Sequence, residues 1–282
     1  MHDLTGKIEP VHKQALNIIS RSAGAEGVDW FLTGAMARDW ILTCVHDIDT
    51  IRATRDADIA VALSSWDQFE RLRQRIIASG HFQPEEGKIH RLRHSSLNGF
   101  HIDLVPYGPL GGGRAEIAWP PTRDVVLNVI GFEEVFRAAI TVLADVELPV
   151  RVSSPPGLML LKIFAWEDRR YEGDKDARDI RLLFDTYHVV AGERLWDEGA
   201  MALEDFQADL ASARLLGRDV AAILTEVSRQ RITSIVDREL ARESAGGLVG
   251  DLLQRSFNGA YGEQDFGKMR SLVRSFRNGL DD

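Results

Sequence analysis

The stretch Val28-Asp29-Trp30-Phe31-Leu32-Thr33-Gly34-Ala35-Met36-Ala37-Arg38-Asp39 passes from an apolar run to a glycine and then to good helix formers. Val28 to Leu32 reads as a short buried strand ending at Thr33-Gly34, and Ala35 to Val45 as a helix. A strand, tight turn and helix start of this kind present backbone N–H groups to an anion, and glycine lets the backbone approach closely. The same layout also serves as a plain structural turn, so it needs company before it carries chemistry.

That company begins 22 residues later, with Asp56-Ala57-Asp58-Ile59-Ala60-Val61-Ala62-Leu63. Residues i and i+2 of a strand share a face, so Asp56 and Asp58 converge with Cα atoms about 6–7 Å apart. Like charges so placed cost stability unless a cation neutralises them, and magnesium prefers such oxygen ligands. The competing reading puts both acids in a solvated turn ahead of the strand. A third acid, Asp103, stands inside Phe100-His101-Ile102-Asp103-Leu104-Val105, where a carboxylate must be exposed or paired. If that strand lies beside the Asp56 strand, three carboxylates can hold two magnesium ions about 3.5–4 Å apart for phosphoryl transfer.

Outward from this centre, Glu9 to Ala23 carries Val11, Ala15, Ile18 and Ile19 at helical spacing, and Trp66 to Ser79 is a helix that Ser64 or Ser65 could cap. Lys88 to Ser95 is expected as a strand. Gly111-Gly112-Gly113 marks a flexible loop, Val125 to Ala139 a helix, and Ile140 to Val152 a hairpin. Pro155-Pro156 then open a helix to Arg170, followed by another from Lys175 to Tyr187. From Trp196 onward the windows read as helix, with apolar stripes at Phe206, Leu210, Ala213, Leu216 and at Val220, Ile223, Leu224, Val227. The expected class is α+β: a mixed sheet with flanking helices over residues 1–154, then an α-helical part over 155–282.

Composition narrows the function. Of 282 residues, 44% are hydrophobic and 27% charged, an ordinary globular balance. Lys+Arg 34 against Asp+Glu 43 gives a net charge of −9, which argues against coating nucleic acid by bulk charge. The single cysteine, Cys44, forms no internal disulfide and suits a reducing compartment. The opening residues lack a signal-peptide layout and no clean apolar run approaches about 18 residues, so a soluble cytoplasmic protein with no membrane partner is expected. P-loop, His-Glu-x-x-His and Gly-x-Ser-x-Gly spacings are all missing.

Taken together, Gly34-Ala35, Asp56 with Asp58, and Asp103 resemble the polymerase-β-like nucleotidyltransferase superfamily. Its hallmark is a Gly-Gly or Gly-Ser turn opening a helix, then two acids one residue apart, then a third acid on a later strand. Leu161-Lys162-Ile163-Phe164-Ala165 through Arg169-Arg170 and Asp174-Lys175-Asp176-Ala177-Arg178-Asp179-Ile180, together with Arg52-x-Thr54-x-Asp56-x-Asp58, resemble the AbiEii-type nucleotidyltransferases. Many of that group are toxins of toxin–antitoxin or phage-defence pairs, and some modify tRNA. The resemblance implies that Asp56, Asp58 and Asp103 bind two Mg2+ ions, or Mn2+ in their place. It also implies that Thr33, Gly34, Ala35 and Arg38 contact the NTP, Lys162 neutralises its triphosphate, and Asp176 and Asp179 orient Lys162 or meet the acceptor. An RNA or tRNA acceptor and a cognate antitoxin are the implied partners.

Ala35 departs from the family's frequent serine and cannot donate a side-chain hydrogen bond, so Thr33 or main-chain N–H groups would replace it. From the residues alone, Lys162 could equally be a snorkelling helix lysine and Asp176 a helix N-terminal acid. Lys88, His90, Arg91, Arg93 and His94 form the dense basic stretch, readable as an RNA contact or as a charged, protected edge strand. Two rival functions stay open: a nucleotidyltransferase acting on a small molecule of the antibiotic type, and a degenerate module that binds nucleotide without turnover.

Overall fold

In a computed structural model the chain divides into two compact units, Met1–Ser154 and Pro155–Asp282. The structure describes residues 1–50, 54–97, 99–111, 116–120, 123, 126–242, 246–253 and 263–282. Arg52 of the acid-pair motif, Gly112 to Arg114 of the glycine loop, and Val125 lie outside the described residues.

The first unit runs β1 (His2–Asp3), α1 (Pro10–Glu26), β2 (Trp30–Thr33), α2 (Gly34–Asp39), β3 (Asp56–Ala62), α3 (Trp66–Ala78), β4 (Phe82–Glu85), β5 (Lys88–His94), β6 (His101–Tyr107), β7 (Glu116–Ala118), β8 (Val126–Asn128), α4 (Phe132–Arg137), β9 (Ile140–Asp145) and β10 (Leu148–Val152). An eight-stranded mixed sheet has the order β1-β9-β10-β2-β3-β6-β5-β4, and β7 pairs with β8 in a small second sheet. The β2/β3 pair is antiparallel and the β3/β6 pair parallel. The chain therefore leaves β2 at the same sheet edge where it enters β3 and β6. Leu32, Ile59, Val61, Ile102 and Leu104 are fully buried on one face of these strands. Helix α3 explains itself locally: Ser65 accepts from the Gln68 backbone N–H at 3.2 Å, and Phe69, Leu72 and Ile76 bury the stripe.

Three expectations need correction. The span 125–139 is not one helix: β8 and α4 occupy it, separated by Gly131 at φ +89°, and its β-branched residues favour the extended pairing. Helix α2 does not run on as α-helix to Val45 but passes into a π-helical turn over Trp40–Val45. The basic strand β5 is not a sheet edge, since β4 covers it.

The second unit is helical: α5 (Pro155–Arg169), α6 (Lys175–Ala191), α7 (Arg194–Asp197), α8 (Ala200–Leu203), α9 (Ala208–Ala221), α10 (Glu226–Leu240), α11 (Leu248–Leu252) and α12 (Glu263–Asp281). Ala213, Leu216 and Val220 are buried along α9 as their spacing predicts, but Phe206 and Val227 are exposed at 67% and 65%. Phe206 stands before α9 begins, at φ +59°, so it does not extend the helical stripe. Helices α9 and α12 cross at two glycines. A Cβ on Gly279 would lie 2.8 Å from the Arg214 carbonyl carbon, and one on Gly217 would lie 3.0 Å from Gly279 Cα. Among the described residues, no helix is long and apolar enough to cross a membrane.

Candidate active site

The sheet register assembles a row of side chains on one face. Thr33 pairs with Asp58, Asp58 with Asp103, and Asp103 with Arg91, across β2, β3, β6 and β5. Residues in register share a face, so two of the three predicted acids stand on neighbouring strands. One step toward the strand starts, Asp56 pairs with His101, and His101 with Arg93. Asp56, Asp58 and Asp103 thus occupy one face at one end of the sheet. Farther along that face, Phe31 and Tyr107 pack under Phe132 and Phe136 of α4, with ring centroids 5.7–6.3 Å apart. The aromatic lid stops short of the acids, leaving Asp58 and Asp56 partly exposed while Asp103 is buried.

Gly34 is bound to this row sterically. Its φ is +69°, a conformation that favours glycine, and an added Cβ would lie 2.8 Å from Asp58 Cγ and closer still to Oδ2. The turn therefore passes so close over the Asp58 carboxylate that any side chain at position 34 would force Asp58 to shift. Thr33 is buried at the end of β2, and Ala35 lies in the first turn of α2. The Ser153 backbone N–H donates to Leu32 O at 2.9 Å, and the buried Ser153 hydroxyl has no partner among the described residues. Arg38, expected at the nucleotide, is buried and donates through Nε and a terminal nitrogen to Asp39 Oδ1 at 2.8 and 2.6 Å. Thr54 Oγ1 donates to Asp39 Oδ2 at 2.5 Å, which ties α2 to the approach to β3.

The basic stretch is largely taken up within the fold. Arg91 donates a parallel fork to Asp103, Nε to Oδ1 and a terminal nitrogen to Oδ2, both at 2.7 Å. These hydrogen bonds, against the opposing effect of burial, raise the pKa of Arg91. Lys88 pairs with Glu85 at 2.8 Å, and His94 is buried. His90 lies against Trp119 with ring centroids 5.5 Å apart, and burial lowers its pKa. His101, not singled out from the sequence, has its Nε2 buried without a hydrogen-bond partner, 3.9 Å from Asp103 Oδ2. Its i, i+2 spacing from Asp103 was the available signal. Nothing local could have marked Arg91 as the partner of Asp103.

In the helical unit, Lys162, Asp176 and Asp179 do meet. Lys162 Nζ lies 3.0 Å from Asp176 Oδ1 and 2.5 Å from Asp179 Oδ2, and Arg169 Nε donates to Asp176 Oδ2 at 2.6 Å. Burial pushes the Lys162 pKa down, but Asp179 and Asp176 outweigh it and the net direction is up. Asp176 is pushed up by burial and down, more strongly, by Arg169 and Lys162, so it stays ionised below the usual range. A snorkelling lysine would reach water instead. This one is spent on two carboxylates.

Does this chemistry suit a divalent cation? The donors are hard carboxylate oxygens, and the Asp58 carboxylate itself takes the space a Cβ at Gly34 would need, so glycine keeps that carboxylate against the turn. The Arg91 guanidinium already places a positive charge on Asp103. Among the described residues, no three His, Cys, Asp or Glu groups close around one point. Both Asp103 oxygens accept hydrogen bonds from Arg91. The residue types fit the ion, with Asp103 engaged by an internal cation.

The fold is thus a mixed sheet with a glycine turn lying on strand-borne carboxylates. The family model described as "Nucleotidyl transferase AbiEii toxin, Type IV TA system" matches residues 17–261, and the chain belongs to this family. It is accordingly a transferase of nucleotidyl groups. Among solved structures, the antibiotic-resistance factor ANT(2'')-Ia is similar at 13% identity and a TM-score of 0.38, over 70% of this chain and 97% of that one. A search of curated proteins returned no match.

Proposed function

We propose that the protein transfers a nucleoside monophosphate from an NTP to an acceptor hydroxyl in a magnesium-dependent reaction, with RNA, tRNA included, as the acceptor and a cognate antitoxin as the protein partner. The observation that carries the reading is the contact of Gly34 with Asp58, itself in register with Asp103. It joins a phosphate-binding turn to a carboxylate pair, as in-line displacement at a phosphorus requires. Asp56 and Asp58 would hold both Mg2+ ions, or Mn2+, and Asp103 the ion at the acceptor. Bound there, the ions supply charge neutralisation for the entering and leaving oxygens.

The chain's own groups do the rest. Backbone N–H groups of the turn after Thr33 bind phosphate oxygens, and Gly34 admits them to the surface. Because Ala35 has no hydroxyl, that binding falls to the main chain and Thr33. The acceptor oxygen forms a bond to the α-phosphorus, the bond to pyrophosphate breaks, and Asp103 takes the hydroxyl proton. In the helical unit, Asp176 and Asp179 hold Lys162, and its assignment to the triphosphate rests on the family resemblance. Arg38 is assigned indirectly, as a brace for Asp39. The RNA acceptor and the antitoxin rest on family membership; the basic stretch lends RNA no support once Arg91 and Lys88 are paired.

The experiment is a transfer assay with each α-labelled NTP, magnesium, and total RNA mixed with small metabolites. Label should move into RNA with wild-type protein and stay in the NTP with folded Asp58→Asn. Transfer at the wild-type rate by Asp58→Asn would overturn the assignment. Label found in small molecules would replace the RNA acceptor.

A further inference from the structure

Asp103 is in an unusual position for a carboxylate meant to take a metal. Both its oxygens accept from one guanidinium at 2.7 Å, in the fork geometry that arginine and carboxylate share best. The pair is mostly sheltered: the side chains are 23% and 12% exposed. Charge attraction there is less screened by water than on an open surface. A dication approaching Asp103 meets a fixed positive charge on a carboxylate whose two oxygens each already accept a hydrogen bond from it. The other groups facing Arg91 are Glu85 and Asp56, which favour its charge, and His101, whose Nε2 stands 3.9 Å from the same carboxylate. Glu85 is itself paired with Lys88 at 2.8 Å, so the direct ion-pair partner of Arg91 in this structure is Asp103.

We propose that Arg91 is a built-in counter-cation that a divalent cation must displace from Asp103, so that Arg91 sets how weakly the nucleotide-free site binds metal. The inference rests on the metal reading above. A nucleotide arrives as a polyanion, so the exchange balances in charge: Asp103 passes from Arg91 to the cation, and Arg91 passes from Asp103 to phosphate. The consequence is coupling. Metal at the third carboxylate is disfavoured until the triphosphate is present, and each ligand strengthens the binding of the other.

The test is Mn2+ binding to the full chain, measured by electron paramagnetic resonance of the free ion, with and without a non-hydrolysable NTP analogue. Arg91→Gln should bind Mn2+ about tenfold or more tighter than wild type in the absence of nucleotide, and the analogue should strengthen Mn2+ binding less in the variant. Equal or weaker binding by folded Arg91→Gln, in a protein whose Mn2+ binding Asp58→Asn abolishes, overturns the inference and leaves the metal reading standing. If Asp58→Asn leaves Mn2+ binding unchanged, or neither protein binds Mn2+, the metal reading falls and takes the inference with it. Should Arg91→Gln fail to fold, wild type still decides. The Arg91 Nε–H nuclear magnetic resonance signal, identified by its loss in Arg91→Lys, should shift when Mg2+ and the analogue are added together, and a signal that does not move overturns the proposal.

Discussion

Replacing Gly34 by alanine separates two costs that the structure predicts at one position. The first is conformational: at φ +69° an L-residue with a Cβ costs about 1–2 kcal/mol. For a unit of this size that corresponds to a melting-temperature drop of about 2–8 °C. The second is steric. The new Cβ would sit 2.8 Å from Asp58 Cγ and 3.1 Å from Asp58 Cβ, where ordinary contact between carbons is about 3.5–4.0 Å. The obstacle is a side chain rather than backbone, so the carboxylate can swing aside at little further loss of stability. It then stands about an ångström from its working place, a displacement worth about 10²-fold in rate. Gly80→Ala is the control, since Gly80 has φ +79° and nothing within 4 Å of an added Cβ. Both variants should melt lower by similar amounts, while only Gly34→Ala should lose about two orders of magnitude in nucleotide transfer. Transfer by Gly34→Ala within a few-fold of Gly80→Ala would refute the reasoning that the turn positions Asp58.

Two further predictions concern the helical unit. Lys162→Met removes the cation that Asp176 and Asp179 share while leaving both carboxylates sheltered, so urea unfolding should show a loss of about 3–5 kcal/mol, moderated by Arg169; a loss under about 1 kcal/mol would mean the cluster is well hydrated. Asp176 has its folded pKa held below the ordinary 3.8, so its contribution is present above pH 3.8 and is lost as pH falls through the lower folded value. The stability gap between wild type and Asp176→Asn, measured by urea unfolding, should be full at pH 7 and shrink below about pH 4; a gap that stays constant to pH 3 contradicts the pairing.

Much of the fold was legible because it is local. The apolar run into Thr33-Gly34, the alternation after Asp56 and the Ser65 cap are short-range patterns, and each is found where its periodicity places it. The helical character after Pro155 was legible for the same reason. Misreadings fell where local signals compete. Between Val126 and Arg137, Gly131 and a strand pairing broke an expected helix, and at Phe206 a left-handed backbone turned an apolar residue out to water. The basic stretch from Lys88 to His94 is a case of a different kind. Its charge was plain, but the partners of that charge come from other strands.

Sequence by itself determined which residues could act: a glycine where the chain must turn, two acids spaced to share a strand face, a third acid inside an apolar strand, and a lysine among leucines. Spacing of this sort follows from the periods of strand and helix, which the chain carries residue by residue. Tertiary structure decided which of them meet. The antiparallel pairing of β2 with β3 brings Gly34 over Asp58, and the register of β5 on β6 puts Arg91 on Asp103. Pairing and register between strands distant in sequence are set by the packing of the whole sheet and its covering helices. A one-residue slip would send every one of these side chains to the opposite face.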